Sequence, residues 1–321
     1  MVSFHVEPTS KCTLECPLCS RTWFYETFKK RLLHEINIEH LVNFVGPNAT
    51  VNLCGNNGDP IYHSKFLELC KQLKDNKCRL HITTNGSAKT KKWWQELSNI
   101  LDKNDTLIFS IDGLEDTNHL YRKNAKWKSI MDAVECVRTG SCTLVWKFIV
   151  FKHNQHQVKD AETFSKKIGF DQFKLEHSDR WLGEKDLMPD EKFVDMSYKQ
   201  SQEILDDPTF TTSMLPNCMV NGKPEHNLYI DAEGDFYPCC WMGSYHYKYK
   251  SVFSPKTKMF NIKDNTLESI MKWNEIKDFF NSTKQFTSAH ENTVWSKKWL
   301  TIITTNNTRL RTILLMCRSC T

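Results

Sequence analysis

The chain of 321 residues is 40% hydrophobic and 25% charged, and its formal net charge is +5. This composition is ordinary for a globular protein, and the length accommodates one large domain and a smaller one. The charge is too small to indicate a nucleic-acid partner, no apolar run is long enough to span a bilayer, and the N-terminus lacks the order of a signal peptide.

Short apolar segments alternate with amphipathic segments through the first half of the chain. The apolar segments predict six strands, at residues 4–6, 51–54, 79–83, 107–111, 144–151 and 172–175. Helical spacing predicts four buried helix faces, formed by Ile38, Leu41, Val42 and Val45, by Phe66, Leu69, Cys70 and Leu73, by Trp93, Leu97 and Ile100, and by Ile130, Val134 and Val137.

This alternation predicts parallel strands joined by right-handed crossovers. Six strand-helix units are too few to close an eightfold barrel. We therefore expect an α/β fold with a partial (β/α)6 TIM barrel over residues 1–180. A polar connector is expected over residues 181–212, and a second, cysteine-containing module over residues 213–321.

Thirteen cysteines are many for this length, and in a reduced, cytoplasmic protein they indicate metal or redox chemistry more often than disulfides. Cys12, Cys16 and Cys19 follow the first strand with the spacing CxxxCxxC. Three thiols can hold three irons of a four-iron four-sulfur cluster and leave the fourth iron open to a small molecule. A structural zinc site would need a fourth ligand, and an electron-transfer cluster a fourth thiolate. Three cysteines that only share a loop are the remaining alternative.

In its spacing and its place after a short strand, this triplet resembles the signature of the radical S-adenosylmethionine (SAM) superfamily. The resemblance implies a [4Fe-4S] cluster held by the three cysteines, with SAM bound to the open iron through its amino and carboxylate groups. It also implies reductive cleavage of SAM to methionine and a 5′-deoxyadenosyl radical, which removes a hydrogen atom from substrate. Such an enzyme needs a reducing electron donor of the flavodoxin or ferredoxin type.

A glycine-containing loop follows the second strand, at the edge where such barrels place their active sites. The segment Gly55-Asn56-Asn57-Gly58-Asp59 resembles the family's GGEP segment, which holds the methionine part of SAM through main-chain hydrogen bonds. Asn and Asp replace Gly and Glu here, so the resemblance implies the backbone contacts more firmly than a contact from the Asp59 carboxylate. Asn85, which follows the third strand, is also expected to lie beside the cofactor. A plain turn is the alternative for the glycine loop.

The fourth strand ends in Ser110-Ile111-Asp112. Side chains two apart on a strand face the same way, so Ser110 and Asp112 can point at one ligand, and their groups suit a ribose diol. Alternatively, Asp112 shapes the turn into the next helix. Together with Arg122, these residues resemble an arrangement in sulfatase-maturating enzymes, which implies that Arg122 pairs with the SAM carboxylate. A solvated surface arginine is the alternative.

Polar residues also follow the last two predicted strands. Glu176 and His177 are candidates for acid–base chemistry, and polar lining of the barrel is the alternative. His153, Asn154 and Arg180 are candidates for contact with substrate.

The second module has four cysteines, enough for one fully ligated cluster. The spacing Cys218-x15-Gly234-x4-Cys239 resembles the opening of the SPASM auxiliary-cluster motif, and the pair Cys317 and Cys320 closes it in the shortened form called twitch. The resemblance implies one auxiliary [4Fe-4S] cluster on Cys218, Cys239, Cys317 and Cys320, and a structural zinc site is the alternative. A hairpin over residues 228–237 is expected to present Cys239. Cys240 is expected to be buried, with replacement of Cys239 or a second metal as the alternatives.

These features predict a radical SAM enzyme of the oxidoreductase or maturase type. Its expected substrate is a peptide or protein side chain that is oxidised or cross-linked, with the auxiliary cluster as electron acceptor. One alternative is a dehydrogenase of a small alcohol, sugar or nucleotide. An alternative from another class is a non-catalytic iron–sulfur or zinc protein that binds a partner. Neither a membrane nor a nucleic acid is expected as a partner.

Overall fold

The computed structural model describes residues 2–176, 185–194, 226–237, 240, 260–274 and 276. The strands of this part are β1 (Ser3–Val6), β2 (Thr50–Leu53), β3 (Arg79–Thr84), β4 (Thr106–Ser110), β5 (Thr143–Ile149), β6 (Gln172–Glu176), β7 (His226–Ile230) and β8 (Phe236–Tyr237). The helices are α1 (Ser20–Phe28), α2 (Ile38–Val45), α3 (Phe66–Asp75), α4 (Lys91–Ile100), α5 (Asn118–Tyr121), α6 (Trp127–Val137), α7 (Val158–Ile168) and α8 (Leu267–Met271). Short 3-10 turns lie at Pro60–Tyr62, Gln155–Gln157, Lys185–Leu187 and Glu191–Phe193.

The strands form one sheet in the order β6-β5-β4-β3-β2-β1-β7-β8. Neighbours among β1 to β6 pair in parallel, each joined to the next through at least one helix. This is the predicted partial (β/α)6 barrel, and all six predicted strands are confirmed with ends shifted by two residues at most. Both predicted boundaries of the connector lie outside the described residues.

One face of this sheet packs against the helices and forms the core. Phe4, Val6, Val51 and Leu53 are fully buried on it, as are all four predicted residues of α3. In α4, Leu97 of the predicted face is fully buried, and Trp93 and Ile100 are partly buried against the same core. Trp94, which was not predicted to be buried, is also fully buried, and Trp93 stacks on Phe66 with ring centroids 6.1 Å apart.

The opposite face of the barrel sheet is polar at the carboxyl ends of the strands. Strand alternation places His5, Cys54, Thr83, Ser110, Lys147 and Glu176 there, on the side of the sheet away from the outer residues. All six are partly exposed. The barrel therefore has a polar interior beside the carboxyl ends of its strands.

A hairpin from the C-terminal part of the chain extends the barrel sheet. β7 pairs in parallel with β1, and β8 pairs antiparallel with β7. The turn between them needs a glycine, because Gly234 has a φ of +81°. The predicted hairpin is thus confirmed, and β7 is in addition a seventh strand of the barrel sheet.

Within the described residues, no helix combines the length and apolar character needed to cross a bilayer.

Candidate active site

The three cysteines lie on the loop between β1 and α1. Cys19 is the residue that precedes α1, and its N–H donates to the Cys16 carbonyl at 3.1 Å. The Leu14 N–H lies 3.4 Å from the Cys12 sulfur. All three cysteines are partly exposed. The loop turns tightly enough to bring the three thiols to one edge of the barrel.

The thiols of Cys12 and Cys16 lie in surroundings that favour their protonated form. Burial raises the pKa of Cys12 to about 12 and that of Cys16 to about 11, so iron loading must release protons.

Two arginines lie beside these thiols. The Arg21 guanidinium lowers the pKa of Cys12, and Arg122 lowers that of Cys16, in each case against the larger effect of burial. Positive charge next to thiols favours the thiolate form that binds metal. The structure therefore places Arg122, a predicted SAM contact, at the cysteine loop.

The glycine loop packs directly on the segment that leads into the cysteine loop. A Cβ atom at Gly58 would overlap the Thr9 carbonyl, so only glycine fits. The Asp59 N–H donates to the Lys11 carbonyl at 2.9 Å. Ser20, the first residue of α1, donates its hydroxyl to the Asn56 carbonyl at 2.7 Å and to Asn57 Oδ1 at 2.8 Å. The two loops thus form one assembly.

Glu7 accepts hydrogen bonds from two backbone N–H groups of the glycine loop. Its Oε1 accepts from the N–H groups of Asn57 at 2.7 Å and Gly58 at 2.8 Å. These groups are directed at a protein carboxylate. The main-chain contacts expected with SAM therefore fall to the other backbone groups of the loop.

Asp59 fastens the glycine loop to the end of β3. Its carboxylate accepts from the Asn85 N–H and side-chain amide, both at 2.6 Å, and from the Thr84 hydroxyl at 2.9 Å. Burial raises the pKa of Asp59 to about 6. The same Asn85 amide lies 3.6 Å from the Cys12 sulfur. The structure therefore brings Asp59 and Asn85 to the cysteine loop, and the Asp59 carboxylate is held there by hydrogen-bond donors of the protein.

Asp112 and Arg122 form a buried ion pair. The Asp112 side chain is fully buried and its Oδ1 accepts from the Ile149 N–H at 2.8 Å. Its Oδ2 lies 2.8 Å from Arg122 Nε, in an ion pair that is not aligned as a hydrogen bond. This geometry favours the interpretation in which Asp112 shapes the strand end, and it shows that Arg122 is not a solvated surface arginine. Ser110 lies two residues before Asp112 and pairs with Lys147 on β5.

The polar interior contains a second ion pair. Lys147 Nζ lies 3.1 Å from Glu176 Oε1, and both side chains are partly exposed. Burial raises the pKa of Cys54 to about 11, and the positive charge of Lys147 partly counteracts this. Glu176 is thus placed inside the barrel, whereas His177 and Arg180 lie outside the described residues.

The remaining predicted substrate contacts among the described residues are Asn154 and His153. Asn154 is fully buried and its side-chain amide donates to the carbonyls of Asp112 and Ile149, both at 2.9 Å. It therefore holds the ends of β4 and β5 together. His153 stacks on Phe151 at 5.4 Å.

Of the cysteines predicted for the auxiliary cluster, Cys218, Cys239, Cys317 and Cys320 lie outside the described residues. Cys240 is partly buried against the main core, in agreement with the expected burial. Its carbonyl accepts a hydrogen bond from the Asn56 side chain at 3.0 Å. The C-terminal hairpin therefore ends against the glycine loop.

The sequence analysis did not assign Glu7, Ser20 or Tyr229 to the site. Glu7 and Ser20 flank the cysteine triplet, so their position relative to the motif was an available signal. Tyr229 reaches the site through the pairing of β7 with β1, a contact between distant segments that no local pattern indicates.

Comparison with protein families covers both parts of the chain. The family model for the radical SAM superfamily matches residues 6–161. Residues 6–161 therefore carry a radical SAM domain. The model for SPASM, an iron-sulfur cluster-binding domain, matches residues 218–321. These domains confirm a [4Fe-4S] cluster with SAM in the first part and auxiliary iron–sulfur binding in the second.

Individual relatives agree with this family. The tungsten-containing aldehyde ferredoxin oxidoreductase cofactor-modifying protein of Pyrococcus furiosus is 24% identical over 187 residues, which are 53% of this chain and 50% of that protein. The chain thus spans about half the length of this curated relative.

Solved structures share the fold. Streptococcus suis SuiB bound to S-adenosylmethionine aligns with a TM-score of 0.57 and 13% identity, over 97% of this chain and 71% of SuiB. SuiB bound to its precursor peptide SuiA aligns with a TM-score of 0.59 and 13% identity, over 92% of this chain and 68% of SuiB. At these identities, the likeness establishes the fold.

Proposed function

We propose that this chain is an oxidoreductase or maturase that binds SAM at the edge formed by the cysteine and glycine loops, and acts on a substrate in the barrel. When bound, the cluster and SAM supply reductive cleavage and a hydrogen-abstracting 5′-deoxyadenosyl radical. The observation that carries the proposal is the convergence of Cys12, the glycine loop and Asn85 at one edge of the polar interior.

The residues of this site hold the glycine loop in place, orient SAM and recognise polar groups of the substrate. Glu7 and Asp59 fix the glycine loop to β1 and β3, so the loop is ordered before a ligand arrives and binding costs less entropy. Arg122 places positive charge beside the cysteine loop, where the SAM carboxylate is expected. Lys147 and Glu176 offer a cation and an anion inside the barrel, which suits hydrogen-bonding groups such as peptide amides.

We infer that the substrate is a peptide or protein side chain. The inference is supported by the fold shared with SuiB in complex with a precursor peptide, and by the SPASM match. An electron donor of the flavodoxin or ferredoxin type reduces the cluster. Dehydrogenation of a small alcohol, sugar or nucleotide is the competing outcome.

The test of the chemistry is anaerobic reconstitution, reduction with dithionite, and measurement of 5′-deoxyadenosine and methionine formed from SAM. We expect both products, and neither from the variant with Cys12, Cys16 and Cys19 changed to Ala. Intact SAM after incubation with a folded, iron-loaded chain would support the non-catalytic alternative.

The substrate class is tested with a deuterated cell lysate that is separated into a peptide and protein fraction and a small-molecule fraction. Deuterium is then measured in the 5′-deoxyadenosine. Transfer from the peptide and protein fraction is expected. Transfer from the small-molecule fraction alone would support the competing dehydrogenase.

A further inference from the structure

A buried carboxylate links the end of β1 to the C-terminal hairpin. Glu7 is 1% exposed, and it lies at the carboxyl end of β1. Its Oε1 holds two backbone N–H groups of the glycine loop, and its Oε2 accepts from the Tyr229 hydroxyl on β7 at 2.7 Å. The Glu7 N–H also donates to the Ile230 carbonyl at 2.9 Å. One side chain thus contacts the glycine loop and the C-terminal hairpin.

Tyr229 contacts Glu7 through its hydroxyl and other aromatic rings through its own ring. It is fully buried, and its ring packs edge-on against His5 at 5.0 Å and beside Tyr237 at 6.1 Å. The Tyr229 hydroxyl donates to Glu7 Oε2, which also accepts from the Asn57 side-chain amide at 3.3 Å, whereas the backbone N–H groups of Asn57 and Gly58 donate to Oε1. Removing the hydroxyl leaves every contact between Glu7 and these two N–H groups sterically intact.

The hairpin touches the glycine loop at a second point. After β8, the Cys240 carbonyl accepts from Asn56 Nδ2 at 3.0 Å. The same Asn56 accepts from Ser20 at its carbonyl, next to the cysteine loop. The glycine loop is therefore held between the cysteine loop on one side and, on the other, the segment that follows the hairpin within the SPASM match.

We propose that Glu7 is a positioning residue that makes the order of the SAM-binding loop depend on the C-terminal hairpin, through the chain Tyr229 hydroxyl, Glu7 carboxylate, and the N–H groups of Asn57 and Gly58. The proposal rests on the proposed function, since it assumes that this loop binds SAM. It adds that the SPASM-side hairpin controls SAM affinity without touching SAM.

A purely structural role predicts something different. If Tyr229 only packs the core, loss of its hydroxyl lowers overall stability and leaves the glycine loop and SAM affinity unchanged at temperatures where the protein is folded. If Tyr229 positions Glu7, the loop loosens locally. Hydrogen exchange separates these cases, because it reports opening at individual segments.

The test compares Tyr229→Phe, Glu7→Gln and a matched control, Tyr237→Phe. Tyr237 is a neighbouring buried tyrosine whose hydroxyl is directed at Asp231 Oδ2, at 3.5 Å, and not at Glu7. Amide hydrogen exchange of the loop peptide is measured on the full chain without cofactors. The SAM dissociation constant is measured by equilibrium dialysis on the reconstituted chain.

We expect Tyr229→Phe to accelerate exchange at Asn57 and Gly58, and to raise the SAM dissociation constant, each by roughly threefold to tenfold, the effect of losing one hydrogen bond of ordinary net strength. Glu7→Gln should accelerate exchange at least as much. Tyr237→Phe should leave both quantities within about twofold of wild type, which is the effect of a change that leaves the Glu7 contacts in place.

Two results would overturn the proposal. One is a folded Tyr229→Phe chain with wild-type exchange at the loop. The other is an equal effect of Tyr237→Phe, which would assign the change to hairpin packing. Absence of SAM binding by the wild-type chain would refute the proposed function instead, and the exchange comparison without cofactors would still decide whether the link exists.

Discussion

Glu7 is a carboxylate whose proton affinity is set by the fold. Burial raises its pKa to about 7, and the hydrogen bonds from Tyr229, Asn57 and Gly58 counteract this without cancelling it. Asp231, in the β7–β8 turn, raises the pKa further. The folded chain therefore holds a proton on Glu7 more tightly than the unfolded chain does.

This difference predicts a pH-dependent contribution to stability. Because the pKa is raised on folding, the contribution is fully present below pH 4.5 and is lost as the pH rises to about 7. The loss amounts to about 3 kcal/mol at about 1.4 kcal/mol per unit. Urea unfolding of the cofactor-free wild type and Glu7→Gln at several pH values measures it.

The unfolding free energy of the wild type should fall relative to that of Glu7→Gln as the pH rises across this range. A difference that stays constant with pH would show that Glu7 titrates alike in the folded and unfolded chains.

Asp112 and Arg122 present the second buried charge. Removing one partner of such a pair leaves the other charge buried and uncompensated, which costs about 3–5 kcal/mol, whereas removing both costs less. We predict that Arg122→Leu destabilises the cofactor-free chain by this amount. Adding Asp112→Asn should restore a large part, because an asparagine oxygen can still accept from the Ile149 N–H.

The exposed pair Lys128 and Asp132 on α6 is the matched control. Lys128→Ala should cost no more than about 0.5 kcal/mol, and chemical unfolding measures all variants. Equal costs at the buried and exposed pairs would contradict the account of Asp112.

At the scale of elements, the glycine loop shows which contacts the sequence predicts and which only the structure shows. Its position after β2 and its glycines predicted a close approach of backbone, and the structure identifies the neighbour as Thr9. The sequence could not show that Glu7 takes two of its N–H groups. That contact depends on how two separated segments pack, and no periodicity encodes it.

We predict that Gly58→Ala forces this loop away from β1. The added methyl group would overlap the Thr9 carbonyl, so the loop must shift and lose its bond to Glu7, at a cost of about 1–3 kcal/mol. SAM affinity, measured by equilibrium dialysis, should fall by roughly tenfold or more, since about 1.4 kcal/mol is one factor of ten.

Gly46→Ala is the control for this change. Gly46 has a φ of +67° and a ψ of −169°, a backbone conformation that is essentially restricted to glycine, and nothing lies within 4 Å of an added Cβ, so alanine there should cost about 1–3 kcal/mol of backbone strain. It should leave SAM affinity unchanged. A similar loss of affinity in both variants would show that SAM binding follows stability and not the shape of the loop.

The strands were predictable because their apolar outer faces and polar ends are local features. The face of α4 was predicted incompletely because two adjacent tryptophans, Trp93 and Trp94, fit the helical spacing almost equally well. Trp94 is fully buried, and Trp93 is partly buried against the same core. β7 was predicted as part of a hairpin, but its pairing with β1 joins residues more than two hundred positions apart. Such pairing leaves no local trace.

At the scale of the whole molecule, the SPASM region and the radical SAM domain share one sheet and meet at the glycine loop. We predict that changing Cys317 and Cys320 to Ala abolishes turnover of the true substrate but leaves measurable SAM cleavage without it. These cysteines belong to the SPASM match and not to the CxxxCxxC triplet. Chromatography of substrate product and 5′-deoxyadenosine measures both.

Cys136→Ala, a partly exposed thiol on α6, is the control for this prediction. Circular dichroism must show that the double variant is folded, because loss of ligation can also unfold a metal-binding module. Wild-type substrate turnover by the folded double variant would show that these two cysteines serve neither electron transfer nor the shape of the site.

The central claim is that Cys12, Cys16 and Cys19 hold a cluster whose open iron binds SAM. Electron paramagnetic resonance of the reduced, reconstituted chain with and without SAM tests it most directly. The account predicts a cluster signal whose g values change when SAM is added, and the loss of that signal when the three cysteines are changed to Ala. A cluster spectrum in which no component changes when SAM is added, or a SAM-sensitive signal that persists in the triple variant, would contradict it.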